Sequence, residues 1–296
     1  MRPAPERPRL RRATLFRSVL FAAALALALA GCLNLPAGER LVYLERSPGQ
    51  TLIVTDSATR RCLRFGEGTE ALNQSCKLLA QPDHLAFEYT RAMVAVLLLW
   101  EPQPRRVLLI GVGGGSIPTA LATVRPASDI DAVDIDASVL AVAQRYFGLA
   151  PGPHLRLHAA DGRAFVTAAL ARGDVYDAVL LDAFDAEGIP PALFSEGFLS
   201  DIRALLTPSG VFLANTFAAS ASYAQETAAA RQAFGRIHSV RLNDTGGNRL
   251  IVAARSPARL PSPSQLLAEL PAREELLARL GIDAAWVRQL RYSDGD

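Results

Sequence analysis

Residues 41–65 alternate apolar and polar positions at a period of two. "LVYLER", "QTLIVTD" and "RRCLRF" each read as a half-buried strand, and Pro48-Gly49 reads as a turn. This predicts a small β-unit over residues 41–80. "DHLAFEYTRAMVAVLLLW" (Asp83–Trp100) runs without Gly or Pro, so it predicts a helix with Asp83 as its N-cap. Pro102 and Pro104 end it. From there short apolar runs and longer helical stretches take turns. "RVLLIG", "IDAVDID", "LRLHAAD", "YDAVLLD" and "GVFLANTF" read as strands. Ser116–Val124, Ala137–Phe147, Gly162–Ala171, Ser195–Leu206 and Ala219–Phe234 read as helices. "IHSVRLN" and "NRLIVAAR" follow with no room for a helix between them. Repeated β-α units closed by a hairpin predict an α/β domain over 83–256. Its sheet is mostly parallel, covered on both faces, with an antiparallel edge. Residues 257–296 form a Pro-punctuated, helical tail.

The N-terminus departs from this pattern. Six Arg and one Glu lie within residues 1–31, and "VLFAAALALALA" (Val19–Ala30) is wholly apolar but short for a membrane span. A basic head, an apolar stretch and small residues before a cysteine read as a signal peptide over 1–31. "LAGC" (Leu29–Cys32) resembles the lipobox of bacterial lipoproteins, which implies acylation of Cys32, a membrane anchor and a cell-envelope location. The overall charge of +2 is carried by this segment. Without it 25 basic residues face 28 acidic ones, a net charge of about −3, which argues against a nucleic-acid partner. Cys62 and Cys76 either pair in an oxidising compartment or sit as two small buried hydrophobes; spacing alone leaves both open. Two cysteines without a histidine cluster make a poor metal site, and no metal is expected.

The chemistry-bearing residues fall at strand ends, where open α/β sheets bind their ligands. "GVGGG" (Gly111–Gly115) follows the first strand of the domain, Asp134 and Asp136 the second, Asp161 and Gly162 the third, Asp182 and Asp185 the fourth. Glycines let a backbone approach a ligand closely, and a carboxylate after the next strand accepts from ribose hydroxyls. Each Asp has a plainer role open to it as a helix N-cap, most of all Asp136 and Asp185.

From about Gln50 to Arg255 the chain resembles the spermidine synthase family, the polyamine aminopropyltransferases. That resemblance implies a seven-stranded methyltransferase-like Rossmann sheet preceded by a small β-unit. "SPGQ" is similar to a family segment that places Gln50 near the amino-acid-like chain of the co-substrate. "FEYTRAM" puts Tyr89 on the substrate side. "VDID" puts Asp134 on the ribose, "AADGRAF" puts Asp161 on the adenine amine, and Gly111, Gly113, Gly115 and Gly162 carry the nucleoside turns. "LLDAFD" resembles the segment whose first Asp, here Asp182, takes the proton from the attacking amine. The implied co-substrate is decarboxylated S-adenosylmethionine or S-adenosylmethionine. The partners are a small nucleoside and an amine, and a homodimer is compatible with the fold.

Departures from the family are equally visible. The family's glycine turn carries an Asp that grips the amine; here that position is Gly114. The Pro after the second Asp is missing in "DAEG", and "RLNDTGGNRL" lacks the late tyrosine. Glu88 or Glu187 is the candidate to replace the lost charge, and Asp185, the second Asp of "LLDAFD", is expected with Glu88 on the substrate side. Three readings follow: an aminopropyltransferase, an S-adenosylmethionine-dependent methyltransferase on the same fold, or a non-catalytic envelope protein that keeps the fold.

Overall fold

The computed structural model describes residues 35–47, 50–66, 73–184, 189–242 and 247–293, which form two sheets. The first is an antiparallel meander of β1 (Arg40–Ser47), β2 (Gln50–Asp56), β3 (Arg60–Phe65) and β4 (Asn73–Leu78). Alternation marks the first three strands. β4, "NQSCKL", is too polar to announce itself and is defined by its pairing with β3. In that register Cys62 stands directly opposite Cys76, and the two are joined by a disulfide. Cross-strand register supplies the proximity that spacing could not.

The second sheet has eight strands, one more than the seven expected. They are β5 (Arg106–Ile110), β6 (Asp129–Asp134), β7 (Leu155–Ala159), β8 (Tyr176–Leu181), β9 (Leu206–Phe217), β10 (Ile237–Arg241), β11 (Asn248–Ala254) and β12 (Arg291–Ser293). Their order is β12-β10-β11-β9-β8-β5-β6-β7. β5 to β9 are parallel to their neighbours, while β11, β10 and β12 join antiparallel. Parallel strands are covered on both faces, which is why "RVLLI" and "YDAVLL" are nearly continuous apolar runs. β12 is the added edge. It is three residues of the tail, paired with β10.

The helices are α1 (Glu88–Trp100), α2 (Ser116–Val124), α3 (Ala137–Val142, continued by a π turn over Ala143–Phe147), α4 (Gly162–Ala171), α5 (Glu196–Leu205), α6 (Tyr223–Phe234), α7 (Pro263–Ala268), α8 (Glu274–Ala278) and α9 (Ala284–Val287). α4, α5 and α6 pack on one face of the large sheet, α1, α2 and the tail on the other. α3 with its π turn joins the small sheet through Val139, Val142 and Phe147 against Leu52, Val54 and Leu63.

α1 begins at Glu88, not at Asp83. Phe87 is its N-cap, in an extended conformation and without a side-chain cap. The preceding residues have other partners: the Leu85 N–H donates to the Leu280 carbonyl at 2.9 Å, and Leu85 bridges to Lys77 of β4. Ala92 to Leu99 are all buried, so α1 is apolar all round. The sheet covers one side, and Leu266, Leu270, Leu277, Leu280 and Val287 of the tail cover the other. The tail is therefore helical with a terminal strand, wrapped over α1.

β9 and β11 enclose a buried ion pair. Arg249 is fully buried, and its Nη2 lies 3.1 Å from Oε2 of Glu226 on α6. Its Nε donates to Thr216 Oγ1 and its Nη1 to Thr227 Oγ1, each at 2.8 Å, while the guanidinium lies 3.9 Å from the centre of the Tyr223 ring. At the other end of the sheet Asp131 accepts from Arg156, His158 and Tyr176. Burial works against its charge, but the hydrogen bonds from Arg156 and His158 outweigh it and bring the carboxyl down to about 2. No helix among the described residues is long and apolar enough to cross a membrane. The expected signal peptide, with the Leu29–Cys32 motif and Cys32, lies outside the described residues.

Candidate active site

The glycine turn connects β5 to α2 and requires glycine for specific reasons. Gly111, Gly113 and Gly115 have φ of +88°, +52° and +78°. A Cβ on Gly111 would stand 2.2 Å from the carbonyl oxygen of Asp182, so the two strand ends pass too closely for any side chain. At Gly162 a Cβ would meet Ile110 at 2.7 Å. The glycines thus bring the ends of β5, α4 and β8 together.

Asp134 holds the turn from below. Its Oδ2 accepts from the backbone N–H of Val112 at 2.8 Å and of Gly113 at 3.4 Å, and its Oδ1 from Asp136 N–H at 3.1 Å. Burial raises its carboxyl above the ordinary value, and these N–H donors oppose the rise. Asp136 caps α3 by accepting from Ser138 N–H at 2.8 Å. Asp161, exposed, caps α4 through Ala164 N–H at 2.8 Å.

Asp182 follows β8 directly. Asn215 of β9 donates its Nδ2–H to Asp182 Oδ1 at 2.9 Å, and Asn248 of β11 donates its Nδ2–H to Asn215 Oδ1 at 2.9 Å. Tyr89, on the first turn of α1, hydrogen-bonds to the same carboxylate. Burial pushes the Asp182 carboxyl up to about 7. The hydrogen bonds from Asn215 and Tyr89 hold it back, and the negative charge of Asp134 adds to the rise. A narrow cleft walled by Ser75, Tyr89, Gly111, Val112, Ser116 and Asp182, with room for about one water molecule, lies beside this carboxylate. The arrangement sets a buried carboxyl, raised toward neutrality, beside a tight glycine turn.

The Spermine/spermidine synthase domain matches residues 86–237. The chain belongs to this family. It is 38% identical over 214 residues to the polyamine aminopropyltransferase of Vibrio vulnificus, covering 72% of this chain and 71% of that one. Among solved structures it is similar to human methyltransferase-like protein 13 in complex with SAH, at 28% identity and a TM-score of 0.60 over 65% of this chain and 93% of that one. It also matches a probable spermidine synthase from Corynebacterium glutamicum, at 19% identity and a TM-score of 0.63 over 84% and 93%. That second structure shares the fold.

Within this spermine/spermidine synthase frame the expected residues separate into two groups. Tyr89, Gly111 and Asp182 meet in the cleft. Asp134, Gly113 and Gly115 build the turn behind it. Asp161 and Gly162 start α4, and Gln50 opens β2 opposite Ser47; neither Gln50 nor Asp161 is part of the cleft wall. Glu88 is engaged elsewhere, accepting from the Trp286 indole at 3.0 Å. Asp185 and Glu187 lie outside the described residues. Among the described residues no group of three or more His, Cys, Asp and Glu side chains is placed to hold a metal ion.

Three residues of the site escape the sequence pattern: Ser75, Asn215 and Asn248. Asn215 interrupts an apolar strand near its end and Asn248 opens one, which is the one signal they give. Ser75 gives none. Its Oγ accepts from Gly114 N–H at 2.8 Å, and a Cβ on Gly114 would stand 2.8 Å from Ser75 Cβ and 3.2 Å from the Phe147 ring. The space taken by an acidic side chain in the family's turn is filled here by β4. Gly114→Asp is therefore expected to lower stability by about 1–3 kcal/mol through overpacking. Ser75→Gly in the same chain is expected to recover part of that loss. Denaturant midpoints of the three proteins check this, and an unchanged midpoint in Gly114→Asp overturns the steric account.

Proposed function

We propose that the protein is an aminopropyltransferase acting on an amine, with decarboxylated S-adenosylmethionine as co-substrate. One observation carries the reading. Asp182, Tyr89 and Asn215 converge at the end of β8 beside the glycine turn. Family membership and the likeness to polyamine aminopropyltransferases support it.

An amine is an ammonium at neutral pH and has no lone pair to attack with. A carboxylate with a pKa of about 7 matches the conditions under which a base works efficiently. Ionised Asp182 holds the ammonium and removes one proton. The freed lone pair attacks the aminopropyl carbon bonded to the sulfonium. The C–N bond forms as the C–S bond breaks, and the bonding pair leaves on sulfur. The products are a secondary ammonium and neutral methylthioadenosine. Tyr89 steadies the carboxylate and borders the acceptor's path. Asp134 has lone pairs left beyond its bonds to the turn, and these suit ribose hydroxyls. Asp161 suits the adenine amine, its capping bond using one oxygen only.

The site itself argues for a second co-substrate test. Gly114 and Ser75 put no carboxylate in the turn itself, so the turn opposes the carboxylate of intact S-adenosylmethionine with one negative charge fewer than the family's turn. Parallel calorimetric titrations with the two forms decide between aminopropyl and methyl transfer. Tighter binding of the decarboxylated form, with methylthioadenosine released on adding a diamine, is the expected result. Tighter binding of the intact form, with no methylthioadenosine, moves the protein to the methyltransferases. With base catalysis by Asp182, kcat/KM rises with pH and levels off above about 7.

The N-terminal sequence supports an envelope location with Cys32 as the acylated residue. Metabolic labelling with a fatty acid, lost in Cys32→Ser, tests it.

A further inference from the structure

We propose that Asn215 and Asn248 form an amide relay that fixes the orientation and charge of Asp182, making them positioning residues for the base. The inference rests on the reading of Asp182 as the proton acceptor. It starts from the direction of the hydrogen bonds. A side-chain amide has one donating and one accepting end, and either end can face a neighbour. Here Asn248 donates to the oxygen of Asn215 at 2.9 Å, so that oxygen is taken. The NH2 group of Asn215 is thereby turned to Asp182, donating at 2.9 Å. The far amide decides which end of the near amide the carboxylate meets.

Register makes this arrangement rigid. β9 and β11 are antiparallel, with Leu250 opposite Asn215, so Asn248 is the diagonal neighbour two residues along on the same face. β8 and β9 are parallel, with Leu181 opposite Ala214, which sets Asp182 beside Asn215. Asn215 is 2% exposed and Asn248 7%, so water does not compete for these bonds. β11, β9 and the residue just past β8 each contribute one polar side chain to a line that ends at the base.

The relay has a consequence that simple packing lacks. A donor facing Asp182 favours its ionised form, the form that accepts a proton. An acceptor facing it favours the protonated form, which cannot. Asn248→Leu keeps the size of the side chain and removes its donor without adding a charge. The Asn215 oxygen then loses the partner that holds it, and the amide is free to turn its oxygen toward Asp182.

The experiment titrates Asp182 directly in the full-length protein, using 13C-labelled aspartate and the carboxyl signal that disappears in Asp182→Asn. Asn215→Leu and Asn248→Leu are each expected to move the midpoint upward by about one pH unit, a tenfold shift in the proton equilibrium. The rise of kcat/KM with pH should move by the same amount. Asn248→Ser, which keeps a donor, should leave the midpoint within a few tenths of a unit. If Asn215→Leu does not fold, Asn248→Leu decides alone. An unmoved Asp182 midpoint in a folded Asn248→Leu protein overturns the relay. The titration needs no substrate, so the two readings fail separately. A shifted midpoint without aminopropyl transfer keeps the relay and removes the reaction; transfer with an unshifted midpoint does the reverse.

Discussion

Asp182→Asn is expected to lower kcat about a thousandfold while leaving nucleoside binding nearly intact, and to make the protein more stable at pH 8. The first effect follows from removing a positioned base, which is worth between about a hundredfold and ten-thousandfold. Asn215 still donates to the new amide oxygen, and the Tyr89 hydroxyl can accept from the new NH2, so the local bonds survive. The second effect follows from the sign of the shift. The carboxyl is raised from 3.8 to about 7 by burial. Below about 4 it is protonated in both folded and unfolded chains and gives no pH dependence. Between about 4 and 7 the folded chain holds a proton that the unfolded chain has lost. Stability from this group therefore falls as pH rises through that window. Three pH units correspond to at most about 4 kcal/mol. The stability advantage of Asp182→Asn should grow from pH 4 to pH 8, read as the difference in denaturant midpoints between the two proteins. A difference that stays flat across that range would mean that the charged carboxylate is not penalised by its surroundings.

Arg249→Met is expected to be the most damaging single change outside the cleft. It leaves the Glu226 carboxylate buried opposite no cation, with the Ser222 hydroxyl at 2.6 Å as a remaining donor. Removing one partner of a buried pair costs about 3–5 kcal/mol. The double variant Arg249→Met/Glu226→Leu removes both charges, and most of the loss should return. Urea unfolding of the single and double variants measures the coupling. Additive losses would show that the pair is not coupled. Because Arg249 and Asn248 are adjacent on β11, the single variant also bears on the site, and its activity should be compared below its unfolding midpoint.

The α/β alternation was legible in the sequence because the central parallel strands β5 and β8 are nearly continuous apolar runs and α2, α3, α4 and α5 start after a glycine, an aspartate or a serine. Ser116–Val124 and Gly162–Ala171 fall where the pattern puts them. The start of α1 was not legible: Asp83 looks like a cap, but the backbone of Leu85 is claimed by Leu280, a partner far along the chain. β12 was illegible for a similar reason, since three residues carry no periodicity and the edge of β10 defines them. At the site, glycines and strand-end acids stand out because turn geometry and exposed strand ends demand them. Ser75, Asn215 and Asn248 do not stand out, because their importance is a matter of register between strands, and register is a property of pairs.

Trp286 is made 198 residues after Glu88, the partner of its indole N–H. A ribosome adding about 5–20 residues per second needs roughly 10 to 40 seconds to cover that distance. Throughout that interval α1, apolar on every side, has no tail to cover its outer face. The helix that carries Tyr89 is thus completed by residues made long after it. A premature stop between the codons for residues 257 and 286 would strip the cover from that helix, and would be felt as aggregation before it was felt as lost chemistry.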